Sequence, residues 1–277
     1  MKSFTIQLDT QTKFKQCDLD CLICERPFDD DIRIYKRPAV IVVPGGAYSR
    51  VSKREGQPIA MQFLAKGFQA FVLRYHVSPD GASYPDHLIE LATAVDYVKK
   101  NAESLCVNAN EVFVVGFSAG GHLVGNLATD HKRVNSYVTK QLDCVPTAVG
   151  LAYPVISEEY GHVASFENLT CGLNEQDKQN ALKITQLDKM VTGDTVPSFV
   201  WTTFEDETVP PLNSIKYVEQ MIKNGVRCEL HMYPQGWHGL STCDAEVNFN
   251  CPDYLKKNAK WLDECSDFFK LYLEEKI

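Results

Sequence analysis

The chain has 277 residues, of which 44% are hydrophobic and 23% charged, so its composition is globular and excludes a disordered chain, a collagen or a coiled coil. Its formal net charge of −8 argues against nucleic acid or an anionic membrane surface as a partner. No uncharged apolar run reaches the roughly 18 residues that a membrane span needs.

The chain begins with two runs in which apolar and polar residues alternate. Phe4, Ile6 and Leu8 form the first run, and Ile32 and Ile34 form the second. Alternation with a period of two is typical of half-buried strands. We therefore expect an antiparallel pair of strands at one edge of a sheet.

Three of the ten cysteines, Cys17, Cys21 and Cys24, follow a C-x₃-C-x₂-C spacing that iron–sulfur sites also use. No further Cys or His set follows at the spacing of a zinc site. The N-terminus lacks the apolar segment of a secretory signal, which predicts a cytoplasmic protein with reduced thiols. We therefore predict free or buried cysteines rather than a metal site.

Six short apolar runs follow along the chain and are rich in β-branched residues. Continuous apolar strands of this kind are expected where both faces of a sheet are covered. The runs that predict strands are 39–43, 70–75, 111–117, 148–153, 198–203 and 227–233.

Segments with helical periodicity separate these runs. Two predicted helices cover about 55–66 and 85–102. A third starts directly after the strand 111–117 and continues through 122–128, a fourth begins at Pro210 and Pro211, and the last covers 261–272. Alternating strands and helices predict an α/β fold with a mostly parallel sheet and helices on both faces. We expect one domain over 1–277, with 154–197 as a possible small cap segment.

The strongest chemical signal is Gly116-Phe117-Ser118-Ala119-Gly120, a G-x-S-x-G pattern. It lies where a predicted strand meets a predicted helix. A nucleophilic serine needs such a tight turn, and the glycines let the strand and the helix approach each other. The alternative interpretation is a glycine-rich turn that only packs the helix on the strand.

A serine hydroxyl needs a base, and the base needs a carboxylate to orient it. Among seven histidines, His238 is the best candidate because it follows the last predicted strand between flexible glycines. Asp206 follows the strand 198–203 and is the first choice of carboxylate, with Glu205 as the second. The order Ser118, Asp206, His238 is the one expected for an α/β-hydrolase and excludes the chymotrypsin and subtilisin orders.

The oxyanion of an acyl-transfer reaction needs at least two fixed N–H donors. The amide of Ala119, directly after the serine, is one candidate. The loop Val43-Pro44-Gly45-Gly46-Ala47-Tyr48 follows an early strand and could supply the others. The alternative is an ordinary Gly-Gly turn.

With these motifs in place, the chain resembles α/β-hydrolase esterases of the hormone-sensitive-lipase-like and acetyl xylan esterase-like group. Within that group it is most similar to bacterial carbohydrate esterases related to bifunctional feruloyl and acetyl xylan esterases. The similarity covers about 37–273. It rests on VPGGAY at 43–48, LRYHVSP at 73–79, YPDHLIELATAVDYV at 84–98, VVGFSAGGHL at 114–123, YPVIS at 153–157, FEDETVP at 204–210 and YPQGWHGL at 233–240.

The resemblance implies Ser118 as nucleophile, Asp206 as acid and His238 as base. It also implies that the amides of Gly46, Ala47 and Ala119 form the oxyanion hole. Lipase-like relatives usually have His-Gly-Gly-Gly where this chain has Pro44-Gly45-Gly46-Ala47, a change that affects the shape of the acyl pocket. Further candidates for substrate contact are Tyr48, His162 and Trp237, although His162 could equally be a surface residue.

Together these residues predict a serine esterase that acts on short acyl esters of carbohydrates or small alcohols, without metal or cofactor. The expected partner is a small-molecule ester, and a homo-oligomer is possible. The alternatives are a formamidase or peptidase on the same scaffold, and a non-catalytic ligand-binding protein with this fold.

Overall fold

The computed structural model describes residues 1–25 and 36–274. Eight strands form one sheet in the order β1-β2-β4-β3-β5-β6-β7-β8. The strands are β1 (Lys2–Asp9), β2 (Gln16–Ile23), β3 (Arg37–Val43), β4 (Gln69–Arg74), β5 (Val107–Phe117), β6 (Val149–Ala152), β7 (Ser198–Thr203) and β8 (Cys228–Tyr233).

All neighbouring strands from β4 to β8 pair in parallel, whereas β1 pairs antiparallel to β2 and β2 antiparallel to β4. The predicted fold class is therefore confirmed, with an antiparallel edge. The described partner of β1 is β2, and the run around Ile32 and Ile34, which we expected to pair with it, lies outside the described residues.

Strand β2 contains two of the three clustered cysteines. Cys17 and Cys21 are buried on the same face of the strand with Leu19 and Ile23. Burial raises the pKa of both thiols, that of Cys21 to about 12. These cysteines therefore occupy the positions that aliphatic side chains take in a half-buried strand.

Successive residues of a strand point to opposite faces of the sheet, so both faces of this sheet carry apolar side chains. Helices cover both of these apolar faces. On β3, for example, Ile41 and Val43 belong to one apolar cluster, whereas Val40 and Val42 belong to the other. One face is covered by α2 (Asp86–Lys100), α3 (Ala119–Tyr137) and α7 (Leu212–Lys223), and the other by α1 (Gln57–Ala65) and α8 (Trp261–Lys270).

The segment that we predicted as a possible cap contains three short helices. They are α4 (Val163–Leu169), α5 (Glu175–Ile184) and α6 (Leu187–Met190). They lie between β6 and β7 in the chain, and α4 reaches the loop after β3. Within 1–25 and 36–274, no helix is both long and apolar enough to cross a membrane.

Candidate active site

Ser118 occupies the turn between β5 and α3. Its backbone has φ 54° and ψ −117°, which is strained for a residue with a side chain. The neighbouring glycines are required for packing: a Cβ on Gly120 would lie 2.2 Å from the carbonyl oxygen of Val43, and one on Gly116 would lie 2.3 Å from that of Gly120. This close contact of strand and helix projects Ser118 from the end of the sheet.

His238 and Asp206 reach this turn from the loops after β8 and β7. Nδ1–H of His238 donates to Oδ2 of Asp206 at 2.7 Å, and Nε2 lies 2.8 Å from Oγ of Ser118. Asp206 is only 3% exposed. Its Oδ1 accepts from the backbone N–H groups of Thr208 and Val209 at 3.0 and 2.9 Å, so the carboxylate is held by the turn that follows it.

Glu205, the second choice of carboxylate, points elsewhere. Its Oε2 accepts from the backbone N–H of Gly236 at 3.0 Å. Glu205 therefore ties the loop after β7 to the loop that carries His238, whereas Asp206 is the carboxylate in contact with the imidazole.

The loop after β3 approaches Ser118 with an unusual backbone. Gly46, Ala47 and Tyr48 have φ values of 129°, 56° and 57°, all in the left-handed region. Among the residues that the structure describes, the N–H groups of Gly46, Ala47 and Ala119 donate to no protein acceptor. Unpaired amides at the start of a helix and in such a loop can bind an anion.

Two polar side chains, one buried and one half-buried, hold this loop in place. Oε2 of Glu55 accepts from the N–H of Gly45 at 2.9 Å, and Asn168 on α4 donates to the carbonyl of Ala47 at 2.9 Å. Glu55 is 3% exposed, and its other oxygen accepts from the hydroxyl of Tyr153 at 2.8 Å. The loop is therefore fixed from two sides, by the residues after it and by α4.

Tyr48 is not part of the cavity lining. Its side chain is 1% exposed, and its hydroxyl donates to Nδ1 of His122 at 2.7 Å. Nε2–H of His122 donates to the carbonyl of Thr185 at 2.8 Å. Burial lowers the pKa of His122 to about 4, so its imidazole is neutral at ordinary pH and can accept from Tyr48. Through this hydrogen bond, Tyr48 fixes the loop after β3 to helix α3.

The cavity above Ser118 has a volume of about 190 Å³. Of the predicted residues, Ser118, His238, Gly46, Ala47 and His162 line it. The ring of His162 lies 6.4 Å from that of His238, and the pKa of His162 is lowered by burial and by His238. Trp237 is 42% exposed and is not part of the lining.

The remaining lining residues were not identified from the sequence. Most of them follow the loop after β3 within a few residues, in a stretch that has no catalytic motif. They are Arg50, Ser52, Arg54, Glu55, Thr208 and Gly239. Nearness to the Gly-Gly turn is the only sequence signal that could have pointed to the first four.

The chain is similar in sequence to a known protein family and to several named relatives. The family model BD-FAE matches residues 31–221. Endo-1,4-beta-xylanase B of Butyrivibrio fibrisolvens is 34% identical over 79% of the chain and 34% of its own length. The acetylxylan esterase of Xylanibacter ruminicola is 28% identical over 86% of the chain and 46% of its own length. The chain thus spans less than half of either relative.

Solved structures resemble the chain over nearly all of its length. The carboxylesterase Cest-2923 from Lactobacillus plantarum has a TM-score of 0.86 at 26% identity and covers 98% of both chains. An acetyl ester-xyloside bifunctional hydrolase from Caldicellulosiruptor lactoaceticus has a TM-score of 0.76 at 29% identity, covering 92% of this chain and 88% of that one.

Proposed function

The chain belongs to the BD-FAE family of α/β-hydrolase-fold proteins, and from that premise we propose that it is a serine carboxylesterase for short-chain acyl esters. The observation that carries this proposal is the chain of short hydrogen bonds from Asp206 through His238 to Ser118, at 2.7 and 2.8 Å. A serine, a base and an orienting carboxylate in this arrangement can perform acyl transfer.

In the first half of the reaction, Oγ of Ser118 attacks the ester carbonyl while Nε2 of His238 takes the hydroxyl proton. The carbonyl oxygen becomes an oxyanion, which the N–H groups of Gly46, Ala47 and Ala119 bind. Asp206 stabilises the charged imidazole. The tetrahedral intermediate then collapses, the C–O bond to the alcohol breaks, and His238 returns its proton to the departing alcohol.

The second half of the reaction releases the acid. Nε2 of His238 removes a proton from water, and the hydroxide attacks the acyl group on Ser118. A second oxyanion forms at the same N–H groups. When it collapses, Oγ of Ser118 leaves and recovers the proton from His238, so the enzyme returns to its starting state.

Two observations support a short acyl group on a carbohydrate or another small alcohol. The cavity is small, and its lining includes arginines, histidines, hydroxyl groups and glycines rather than large apolar side chains. Two relatives are named for xylan chemistry, as an acetylxylan esterase and a xylanase. Both facts favour a small polar ester over a lipid.

Hydrolysis of 4-nitrophenyl esters by the wild type and Ser118→Ala tests the proposal. We expect 4-nitrophenyl acetate to be hydrolysed faster than the octanoate. Loss of the serine should lower kcat by about 10⁶, the scale for removing a triad nucleophile. Ser136→Ala is a matched control, because Ser136 is exposed at the far end of α3. Equal activity of Ser118→Ala and the wild type would refute the proposal.

A further inference from the structure

Two arginines line the cavity above Ser118 together with Ser118 itself and His238. Arg50 and Arg54 both contribute to its lining, and Glu55 is the one carboxylate there among the described residues. Both oxygens of Glu55 already accept hydrogen bonds, from the N–H of Gly45 and the hydroxyl of Tyr153. The cavity therefore offers positive charge that its own carboxylate does not bind.

Neither arginine forms an ion pair within residues 1–25 and 36–274. In contrast, Arg74 pairs with Asp20 at 3.0 Å, and Arg133 pairs with Asp130. Uncompensated guanidinium groups at a cavity attract anions and are suited to bind a carboxylate with two parallel hydrogen bonds.

The position of Arg54 links this charge to the reacting groups. One of its terminal nitrogens, Nη2, lies 3.0 Å from where a Cβ of Gly239 would be, next to His238 in the chain. Its other nitrogen, Nη1, has only long contacts of 3.4 Å, to the carbonyl of Val247 and the side chain of Asn248. The guanidinium thus lies close to the backbone of Gly239, the residue after His238, with hydrogen-bonding capacity left over.

We propose that the ester substrate of this protein carries a carboxylate, which Arg50 and Arg54 bind while Ser118 attacks the ester carbonyl. This inference rests on the proposed esterase function and specifies its substrate class. The carboxylate can belong to the acyl part, as in a half-ester of a dicarboxylic acid, or to the alcohol part, as in an acetylated uronic acid. In either case, the carboxylate of the substrate lies in the cavity above Ser118.

Two pairs of substrates distinguish these sources. The first pair is 4-nitrophenyl hemisuccinate against 4-nitrophenyl butyrate, which differ by a carboxylate on the acyl chain. The second is acetylated glucuronic acid against acetylated xylose, with acetate release as the readout. For each pair we define a charge preference, the kcat/KM of the anionic ester divided by that of the neutral one.

The variants are Arg50→Gln/Arg54→Gln, Arg54→Lys and Lys53→Gln. We expect the double variant to lower the charge preference about tenfold in at least one pair, and Arg54→Lys to lower it less because the charge remains. Lys53→Gln is the matched control: Lys53 lies between the arginines in the chain but outside the cavity lining, so the preference should stay at the wild-type value. Raising the salt concentration should also reduce the wild-type preference.

The two esters of a pair differ in intrinsic reactivity, but this difference is the same for every variant. It therefore cancels when the charge preference of a variant is divided by that of the wild type. The inference is overturned if the double variant and Lys53→Gln keep the wild-type preference in both pairs, or change it equally. If the wild type hydrolyses no ester of either pair, neutral or anionic, the proposed function itself has failed. Hydrolysis of the neutral esters without an arginine-dependent preference overturns only the inference.

Discussion

At the scale of single residues, the pair Tyr48 and His122 supports the loop that carries the proposed oxyanion donors. Three consecutive residues of that loop have positive φ, a conformation that persists only when surrounding contacts hold it. The hydroxyl of Tyr48 binds a histidine one turn after Ser118 on α3. This contact ties the loop directly to the helix that begins after the serine.

Tyr48→Phe should therefore impair catalysis more than substrate binding. The substitution leaves Nδ1 of His122 buried without a donor, a loss of about 1–3 kcal/mol in the free energy of unfolding. Because the loop loses an anchor, we expect kcat to fall about tenfold for 4-nitrophenyl acetate with little change in KM. Steady-state kinetics and urea unfolding measure the two effects.

Tyr84→Phe is the matched control for that variant. The hydroxyl of Tyr84 contacts that of Tyr137 at 3.2 Å, outside the cavity lining. It should lower stability without a comparable change in kcat. If Tyr48→Phe retains the wild-type kcat, or if both variants lower kcat equally, the hydroxyl of Tyr48 has no specific role in holding the loop.

Residue types and their order along the chain were sufficient to select Ser118, Asp206 and His238, and the structure brings these three together. Tyr48 was named as a further candidate for substrate contact, yet its side chain is 1% exposed and lies outside the cavity lining. The side chain points into the core, where its hydroxyl binds His122 on α3. That direction depends on contacts distant in sequence, which the local pattern does not contain.

At the scale of secondary-structure elements, long apolar runs were predictable and short or polar elements were not. The six predicted strands correspond to β3 through β8. Strand β2 was missed because cysteines occupy its inward positions, so the run resembled a possible metal-binding motif. A small thiol serves there as an ordinary buried apolar group.

The helices of the cap segment were missed for a different reason. On α5 only Ala181 is buried, so the helix has little apolar periodicity to detect. Helices α4 and α6 have seven and four residues, lengths at which tertiary contacts decide the conformation. Yet α4 provides Asn168, which holds the carbonyl of Ala47, and follows His162, which lines the cavity.

At the scale of the whole molecule, buried neutral histidines make stability depend on pH. Burial lowers the pKa of His87 to about 3 and that of His122 to about 4. Both become protonated near pH 6.5 in the unfolded chain. Between these limits the unfolded state binds more protons, so stability is greatest above about pH 6.5 and decreases as the pH falls toward 4.

The variant His87→Phe should reduce this dependence. His87 is 0% exposed, and neither ring nitrogen has a hydrogen-bond partner among the described residues, so the substitution breaks no polar contact. Between pH 8 and 5 we expect its free energy of unfolding to decrease by about 2 kcal/mol less than that of the wild type. Urea unfolding at several pH values measures the difference. If the wild type and His87→Phe have identical pH profiles, His87 does not contribute to the pH dependence of stability.

The central claim is that the fold makes one serine, Ser118, reactive through His238 and Asp206. Its most direct test is labelling of the folded protein with a fluorophosphonate, followed by mass spectrometry of the peptides. We predict one probe per chain, attached to Ser118, and much slower labelling of the variant His238→Ala. No label on the folded wild type, or a label on another residue with Ser118 unmodified, would contradict the account.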